Sequence, residues 1–402
     1  MGVRSGTALE RLRAAADGRA ADGLRRSLIP RSPDFDGLTD LASNDYLGLC
    51  GDPRVTAGAI EAAREWGTGS TGSRLVTGTT TLHARLEEAL AAMTGAAEAL
   101  VFSSGYLANL AVITSLTAAL ARHGDGVLIV SDERNHASLI DACRLARKRG
   151  VRLEVAPYRD TVAVRRLLAG RGEESALVVS DAVFSVDGAL APVGDLHAAA
   201  REHDALLVLD EAHAFGVTGP EGRGAAAGIA AEPDVIRTVT LSKSLAAQGG
   251  AVLGVVDVID TVVDTGRGFI FDTGLAPPSA GAALAALEIL RAEPRRGEQA
   301  AVNARRLAAI ATDLGLTVVP PSTAVLAVVL GDPRHAVEAR EICASNGVRV
   351  GCFRPPSVPP GQACLRLTTR ATMTQRDFAL ATRALTRVRD HVGVDVKPTF
   401  KQ

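Results

Sequence analysis

Ala205-Leu206-Leu207-Val208-Leu209-Asp210-Glu211-Ala212-His213-Ala214-Phe215-Gly216 is the stretch on which the fold turns. An unbroken apolar run that ends abruptly in an acid reads as a buried strand delivering a polar group to its carboxyl end. The same design repeats on either side. Short apolar runs at Leu100–Phe102, Val127–Ser131, Ala176–Ser180, Thr238–Leu241 and Ala251–Val256 alternate with Ala-rich amphipathic stretches at 80–93, 106–121, 136–149, 161–169 and 194–203. This alternation predicts an α/β domain with a mainly parallel sheet, helices on both faces, and ligands in the loops at the carboxyl ends of the strands. Beyond Pro277–Pro278 a long helix (280–291) is expected, then helices near 298–314, 333–346 and 374–392 with strands near 316–319, 324–330 and 364–367, which together read as a smaller α+β unit. Residues 8–28 carry helical spacing until Pro30 and Pro33 stop it. The chain has 402 residues, beyond the size at which single cores usually stop growing. The expected organisation is a helical arm (1–40), a large α/β domain (41–278) and a small C-terminal α+β domain (279–402).

Composition excludes several classes of function. A net charge of −1 without a basic block leaves no footprint for nucleic acid or an anionic membrane. No run of 18 apolar residues suggests a membrane span, and no apolar segment near the start suggests a secretory signal. Five cysteines (Cys50, Cys143, Cys343, Cys352, Cys364), odd in number and without a C-x-x-C pair, read as buried structural thiols in a reducing cytosol rather than as disulfides or zinc ligands. A cytoplasmic location is expected.

Lysine is rare: Lys148, Lys243, Lys397 and Lys401 are the four among 44 basic residues. Lys148 lies in a charged helical stretch and the last two near the C-terminus, where a surface role suffices. Lys243 follows the apolar run Val235–Leu241, and a strand end would desolvate it, lower its pKa and make a nucleophilic amine. The bland alternative is a structural ion pair. Asp210 at its own strand end can pair with a protonated pyridine nitrogen; the rival for Asp-x-x-His is a metal, for which no third ligand stands nearby. Glu211 reads as a loop or helix cap. In Phe102-Ser-Ser-Gly-Tyr-Leu-Ala-Asn109 a strand runs through Ser-Gly into a helix, whose first amides can cradle a phosphate. His136, in another strand-to-helix loop, could stack on a planar ring or merely hydrogen-bond at the helix start. Gly67, Gly69 and Gly72 spell G-x-G-x-x-G, but a helical pattern precedes them where a dinucleotide site needs a strand.

With these elements in one order, the sequence resembles the α-oxoamine synthases, fold type I pyridoxal-phosphate enzymes, from Leu24 to about Leu367. The resemblance rests on Ser43–Leu49, Gly69–Gly78, Ser103–Asn109, Asn135–Leu139, Val183–Gly188, Asp210–His213, Thr240–Leu245 and Phe353–Gly361. It implies pyridoxal 5'-phosphate carried on Lys243, with Asp210 at the ring nitrogen, His136 on the ring face, and His213 and Ser185 near the phenolic oxygen. It implies that Gly105 and Tyr106 amides and Thr240 hold the phosphate, with Thr273 reaching it from the other subunit of a homodimer. Asn44 and Arg366 match positions near the substrate carboxylate, and Arg25 and Ser357 match further substrate contacts. Within the family, Arg354-Pro-Pro-Ser-Val-Pro359 resembles the pimeloyl-using members of biotin biosynthesis. The implied reaction condenses L-alanine with pimeloyl-CoA or pimeloyl-ACP and releases carbon dioxide. Alternatives are glycine or serine with another acyl thioester, or a non-catalytic scaffold of the same fold. The sequence departs from the family at Ala214 and Ala246, where glycine is common, at Ser357, where threonine is usual, and at Met373, often histidine. At Ala214 or Ala246 a methyl would crowd a turn if φ were positive.

Overall fold

The computed structural model describes residues 7–392 except 23 and 27, so Lys397 and Lys401 lie outside the described residues. Seven strands build the first sheet: β2 (Glu98–Phe102), β3 (Val127–Asp132), β4 (Arg152–Ala156), β5 (Ser175–Asp181), β6 (Ala205–Asp210), β7 (Val235–Thr240) and β8 (Gly250–Gly254), in the order β2-β8-β7-β6-β5-β3-β4. β3 to β7 are mutually parallel; β8 runs against both β7 and β2, so β2 points with the parallel set. The pleat explains why the central strands are apolar throughout. Leu177, Val179, Val208 and Ile236 face the helices Gly105–Leu120 and Ala137–Arg147, while Val178, Leu207, Leu209 and Val235 face Thr161–Ala169 and Val193–Glu202. Both faces are covered, so alternation of polarity would bury unpaired polar groups.

The second sheet has the order β1-β11-β12-β10-β9, with β1 (Thr39–Leu41), β9 (Val318–Val319), β10 (Val325–Gly331), β11 (Val348–Phe353) and β12 (Ala363–Thr368). β1 pairs parallel with β11 and the other pairings are antiparallel. Helices Arg295–Asp313, Pro333–Ser345 and Gln375–Val392 pack on it. The long helix Pro277–Ala292 belongs to the other layer: Ala280, Ala283, Leu287 and Leu290 share a core with Leu86, Leu241 and Leu253. It crosses the helix Pro53–Trp66 at a glycine pair, where a Cβ on Gly281 would fall 2.5 Å from the Gly58 carbonyl. The boundaries expected at residues 41 and 278 cut through these packing units. We propose that the smaller unit takes in β1 and then begins near Arg295.

Three expectations from sequence need correction, and three strands were not expected. The arm helix spans Ala8–Ala21 and stops well short of residue 28, because none of its side chains is buried and only its Thr7–Glu10 capping box and local bonds hold it. Residues 255–256 leave the strand, and a helix runs over Val256–Thr265. β1, β4 and β11 escape the apolar pattern because they are short or charged. Cys50 is exposed and Cys352 half-buried; Cys143, Cys343 and Cys364 are buried, which pushes each of these three thiols up to about 12. Among the described residues no helix is long and apolar enough to cross a membrane.

Candidate active site

Because β2, β3, β5, β6 and β7 share a direction, the loops after Phe102, Asp132, Asp181, Asp210 and Thr240 open on one sheet edge. Three of these strands end in aspartate, and Asp181 lies directly across from Asp210 in the register. That edge collects Lys243, Asp210, His136, His213, Gly105 and Thr240.

Lys243 Nζ lies 2.8 Å from His213 Nε2. Burial pulls its amine down to about 8, against the opposing pull of the Asp210 charge. On the other side of the imidazole, Nδ1 sits 2.6 Å from the Tyr46 hydroxyl, which donates to Asn44 Oδ1 at 3.1 Å. Asn44 Oδ1 also accepts from Arg366 Nη2 at 2.9 Å. This chain fixes the tautomer: Lys243 donates to Nε2, and Nδ1–H donates to Tyr46. Burial and the Lys243 charge hold His213 well below the usual histidine range, so the ring is neutral. Arg366 Nε donates to the Ser185 carbonyl at 2.5 Å, and its Nη1 makes no hydrogen bond among the described residues.

Asp210 is buried and anchored by a polar network. Oδ1 accepts from the Ala212 amide at 2.9 Å, and Oδ2 accepts from Asn109 Nδ2 at 2.7 Å. Asn109 also reaches Ser138 Oγ at 2.9 Å and accepts from Thr238 Oγ1 at 2.7 Å, so no face of the amide is left unmatched. His136 caps the helix Ala137–Arg147: its Nδ1 lies 2.7 Å from Ser138 Oγ, and its backbone N–H donates to Asp181 Oδ2 at 2.7 Å. The helix-start reading of His136 holds, and this cap sets the imidazole near Asp210 and Lys243. The residue is exposed, and the partial desolvation it meets lowers its pKa. Glu211 does bind a loop, since its Oε1 accepts from the Ala226 amide at 2.8 Å, but it is fully buried and its Oε2 is ion-paired with Arg237 at 3.3 Å behind the sheet edge.

The helix start at Gly105 tests whether pyridoxal phosphate fits. A Cβ on Gly250 would fall 2.4 Å from Gly105 N, so bare glycine lets β8 pass under the helix while its first amides stay uncovered. A Cβ on Gly105 would meet Thr240 Cβ at 3.3 Å, which puts the Thr240 hydroxyl at the same turn, 2.7 Å from Ser242 Oγ. Open helix-start amides, a desolvated lysine and a held carboxylate on one edge suit this cofactor. Tyr106 offers its amide there, while its side chain turns outward to Asp141 at 2.6 Å. Thr273 is exposed, paired by an isolated bridge to Ser73, and its neighbour Asp272 accepts from Ser103 of the same turn. Arg25 and Ser357 do not touch the lysine cluster. They line a separate groove of about 690 Å³ with Arg354 and Phe353, whose ring lies 5.5 Å from the Arg366 guanidinium carbon. Ala214 has no positive φ, whereas Ala246, three residues after Lys243, has φ +51°.

Tyr46, Asn109, Asp181 and Ser242 were not singled out from sequence as site residues. Asp181 carried a signal, the strand-terminal aspartate shared with Asp210. Ser242 adjoins Lys243 in the chain, whereas Tyr46 and Asn109 meet the lysine and Asp210 only through tertiary contact.

Fold and site define a fold type I pyridoxal-phosphate enzyme, and the aminotransferase class I and II family matches residues 36–385, so the chain belongs to it. The 8-amino-7-oxononanoate synthases of Mycobacterium sp. (strain JLS) and Mycobacterium marinum are each 54% identical to it, over 372 and 368 residues, covering 92% and 91% of this chain and 94% and 91% of theirs. Within the family the chain is therefore a member of the 8-amino-7-oxononanoate synthase group. Among solved structures, serine palmitoyltransferase of Sphingomonas wittichii superposes with a TM-score of 0.87 at 28% identity, covering 98% of this chain and 99% of its own. An 8-amino-7-oxononanoate synthase from Francisella tularensis, at TM-score 0.74 and 23% identity over 89% of this chain and all of its own, shares the fold.

Proposed function

We propose that this chain condenses L-alanine with a pimeloyl thioester, on coenzyme A or an acyl carrier protein, with loss of the alanine carboxylate as carbon dioxide, to give 8-amino-7-oxononanoate. The observation that carries the reading is the joint placement of Lys243, Asp210 and the open helix start at Gly105 on one sheet edge. Bound pyridoxal phosphate supplies an electron sink for negative charge at the alanine Cα. Lys243 holds the cofactor and then, with its amine near 8, accepts the Cα proton. Asp210, kept in place by Asn109, holds a proton at the ring nitrogen. His136 covers the ring face as a neutral imidazole. His213, neutral and fixed by Tyr46, orients the Lys243 amine. Arg366 Nη1 takes the amino-acid carboxylate, beside Asn44. Gly105, Tyr106 and Thr240 hold the phosphate, Ser185 borders the ring, and Thr273 reaches the neighbouring site in a cytoplasmic homodimer.

The far carboxylate of pimelate needs a partner, because an unpaired buried charge costs several kcal/mol. Arg25 supplies it in the groove that also holds Ser357, separated from Arg366 by Phe353. Arg25→Met should raise KM for the pimeloyl thioester and leave L-alanine binding unchanged. The function itself is tested by incubating the holoenzyme with L-alanine, glycine or L-serine against pimeloyl, succinyl and palmitoyl thioesters and measuring thiol release. Release with alanine and pimeloyl is expected. Preference for another pair would overturn the substrate assignment, and no release with any pair would point to a scaffold.

A further inference from the structure

We propose that Arg134, Tyr158 and Asp187 form a positioning clamp that ties the loop carrying His136 to the hairpin orienting Arg366, and so sets how tightly the amino-acid carboxylate is held. The proposal rests on Arg366 as the carboxylate receptor. The clamp begins on a stiff platform. Asp132 accepts from the amides of Arg134 and Arg159, both at 2.8 Å, and Glu133 Oε1 accepts from the Tyr158 amide at 3.1 Å, lacing the loop after β3 to the turn after β4.

From that platform the Tyr158 hydroxyl reaches Asp187 Oδ2 at 2.9 Å. The Arg134 guanidinium stacks 4.3 Å over the phenol ring, with Nη1 3.8 Å from the same carboxylate oxygen. Phe184 meets the ring edge-on, with centroids 4.7 Å apart.

Asp187 is buried and closes the tip of the hairpin that follows β5. Its other oxygen accepts from the Ala189 amide at 3.0 Å, inside a turn pinned by Phe184 N–H to Ala189 O at 2.9 Å and Gly188 N–H to Phe184 O at 3.0 Å. The turn needs only that first oxygen. The second is held from outside the hairpin, by two residues that belong to the His136 side. The far face of the tip rests on the second sheet: a Cβ on Gly188 would fall 2.3 Å from the Val325 carbonyl, and Val186 packs with Ala327, Phe353, Val358 and Cys364. Between these two supports sits Ser185, whose carbonyl receives Arg366 Nε. A small tilt of the hairpin therefore moves that carbonyl and swings the guanidinium, and bidentate recognition of a carboxylate tolerates little misplacement.

Tyr158→Phe keeps the ring, the arginine stack and the Phe184 contact, and removes only the hydroxyl. Titrating the holoenzyme with L-alanine, followed by cofactor absorbance, should show the apparent Kd and the amino-acid KM rising roughly 3- to 10-fold, less than the full worth of a lost hydrogen bond to a charged group because the clamp acts on the carboxylate only through Arg366. KM for the thioester and kcat should stay within about twofold. The substitution should have no further effect in an Asp187→Asn background, since the two residues act as one unit. Arg134→Gln, made from the partly exposed side, carries the same expectation should the first variant fail to accumulate. Glycine and L-serine titrated in parallel should weaken by the same factor, because the carboxylate is common to all three; a protein that does not turn over alanine still reports on the clamp. Unchanged amino-acid affinity in both variants, or a loss confined to thermal stability, would overturn the proposal.

Discussion

At the scale of single residues, the decisive quantity is the protonation of Lys243. An amine attacks an aldehyde only when neutral, and burial brings this one from the ordinary lysine range to about 8. Reconstitution of the apoprotein with pyridoxal phosphate should accelerate as pH rises from 6 and level off just above 8, whereas an unshifted lysine would keep accelerating beyond 10. Stopped-flow absorbance checks this. The neighbouring turn carries strain. Ala246 holds φ +51°, a conformation that costs a residue with a Cβ about 1–2 kcal/mol. Glycine would remove that strain and give back about half through its freedom in the unfolded chain, so Ala246→Gly should stabilise by roughly 0.5 kcal/mol in urea denaturation. A destabilised variant would mean the methyl has packing value that outweighs the strain.

At the scale of elements, the strands differ in how far sequence alone reveals them. β5 and β6 are legible because helices cover both faces and leave a continuous apolar run, whereas Arg237 and Thr238 interrupt β7, which begins three residues before the expected Thr238. β4 is an edge strand with charged residues, and β1 is three residues whose partner lies more than 300 positions away. The site divides the same way. Lys243 and Asp210 stand at or just past strand ends, where one short window shows both the apolar run and the odd polar residue. Asn109 and Tyr46 matter through contacts 101 and 167 residues distant, which no local pattern encodes. For Glu211 the loop contact is legible but its ion pair is not, since the partner Arg237 sits inside β7 and no local pattern joins the two. That pair locks the segment after β6 to β7. Arg237→Met should cost about 3–5 kcal/mol by stranding the buried Glu211 carboxylate, and adding Glu211→Gln should recover part of it. Additive losses in chemical denaturation would show that the two do not act as a pair.

At the scale of the whole molecule, two sheets meet around one site: the first supplies lysine, carboxylate and phosphate turn, and the second supplies Arg366. Thr273 is exposed and adjoins Asp272, which accepts from Ser103, and we propose that it serves the neighbouring subunit. Mixed dimers of Lys243→Ala and Thr273→Ala subunits should regain activity if Thr273 serves the opposite site, and strictly additive loss would assign it to its own. The most direct measurement of the central claim follows the labelled carboxylate of [1-13C]-L-alanine with a pimeloyl thioester. One labelled carbon dioxide and one free thiol are expected for each 8-amino-7-oxononanoate formed, and none of the three with Lys243→Ala. Product that retains the label, or undiminished turnover without Lys243, would contradict it.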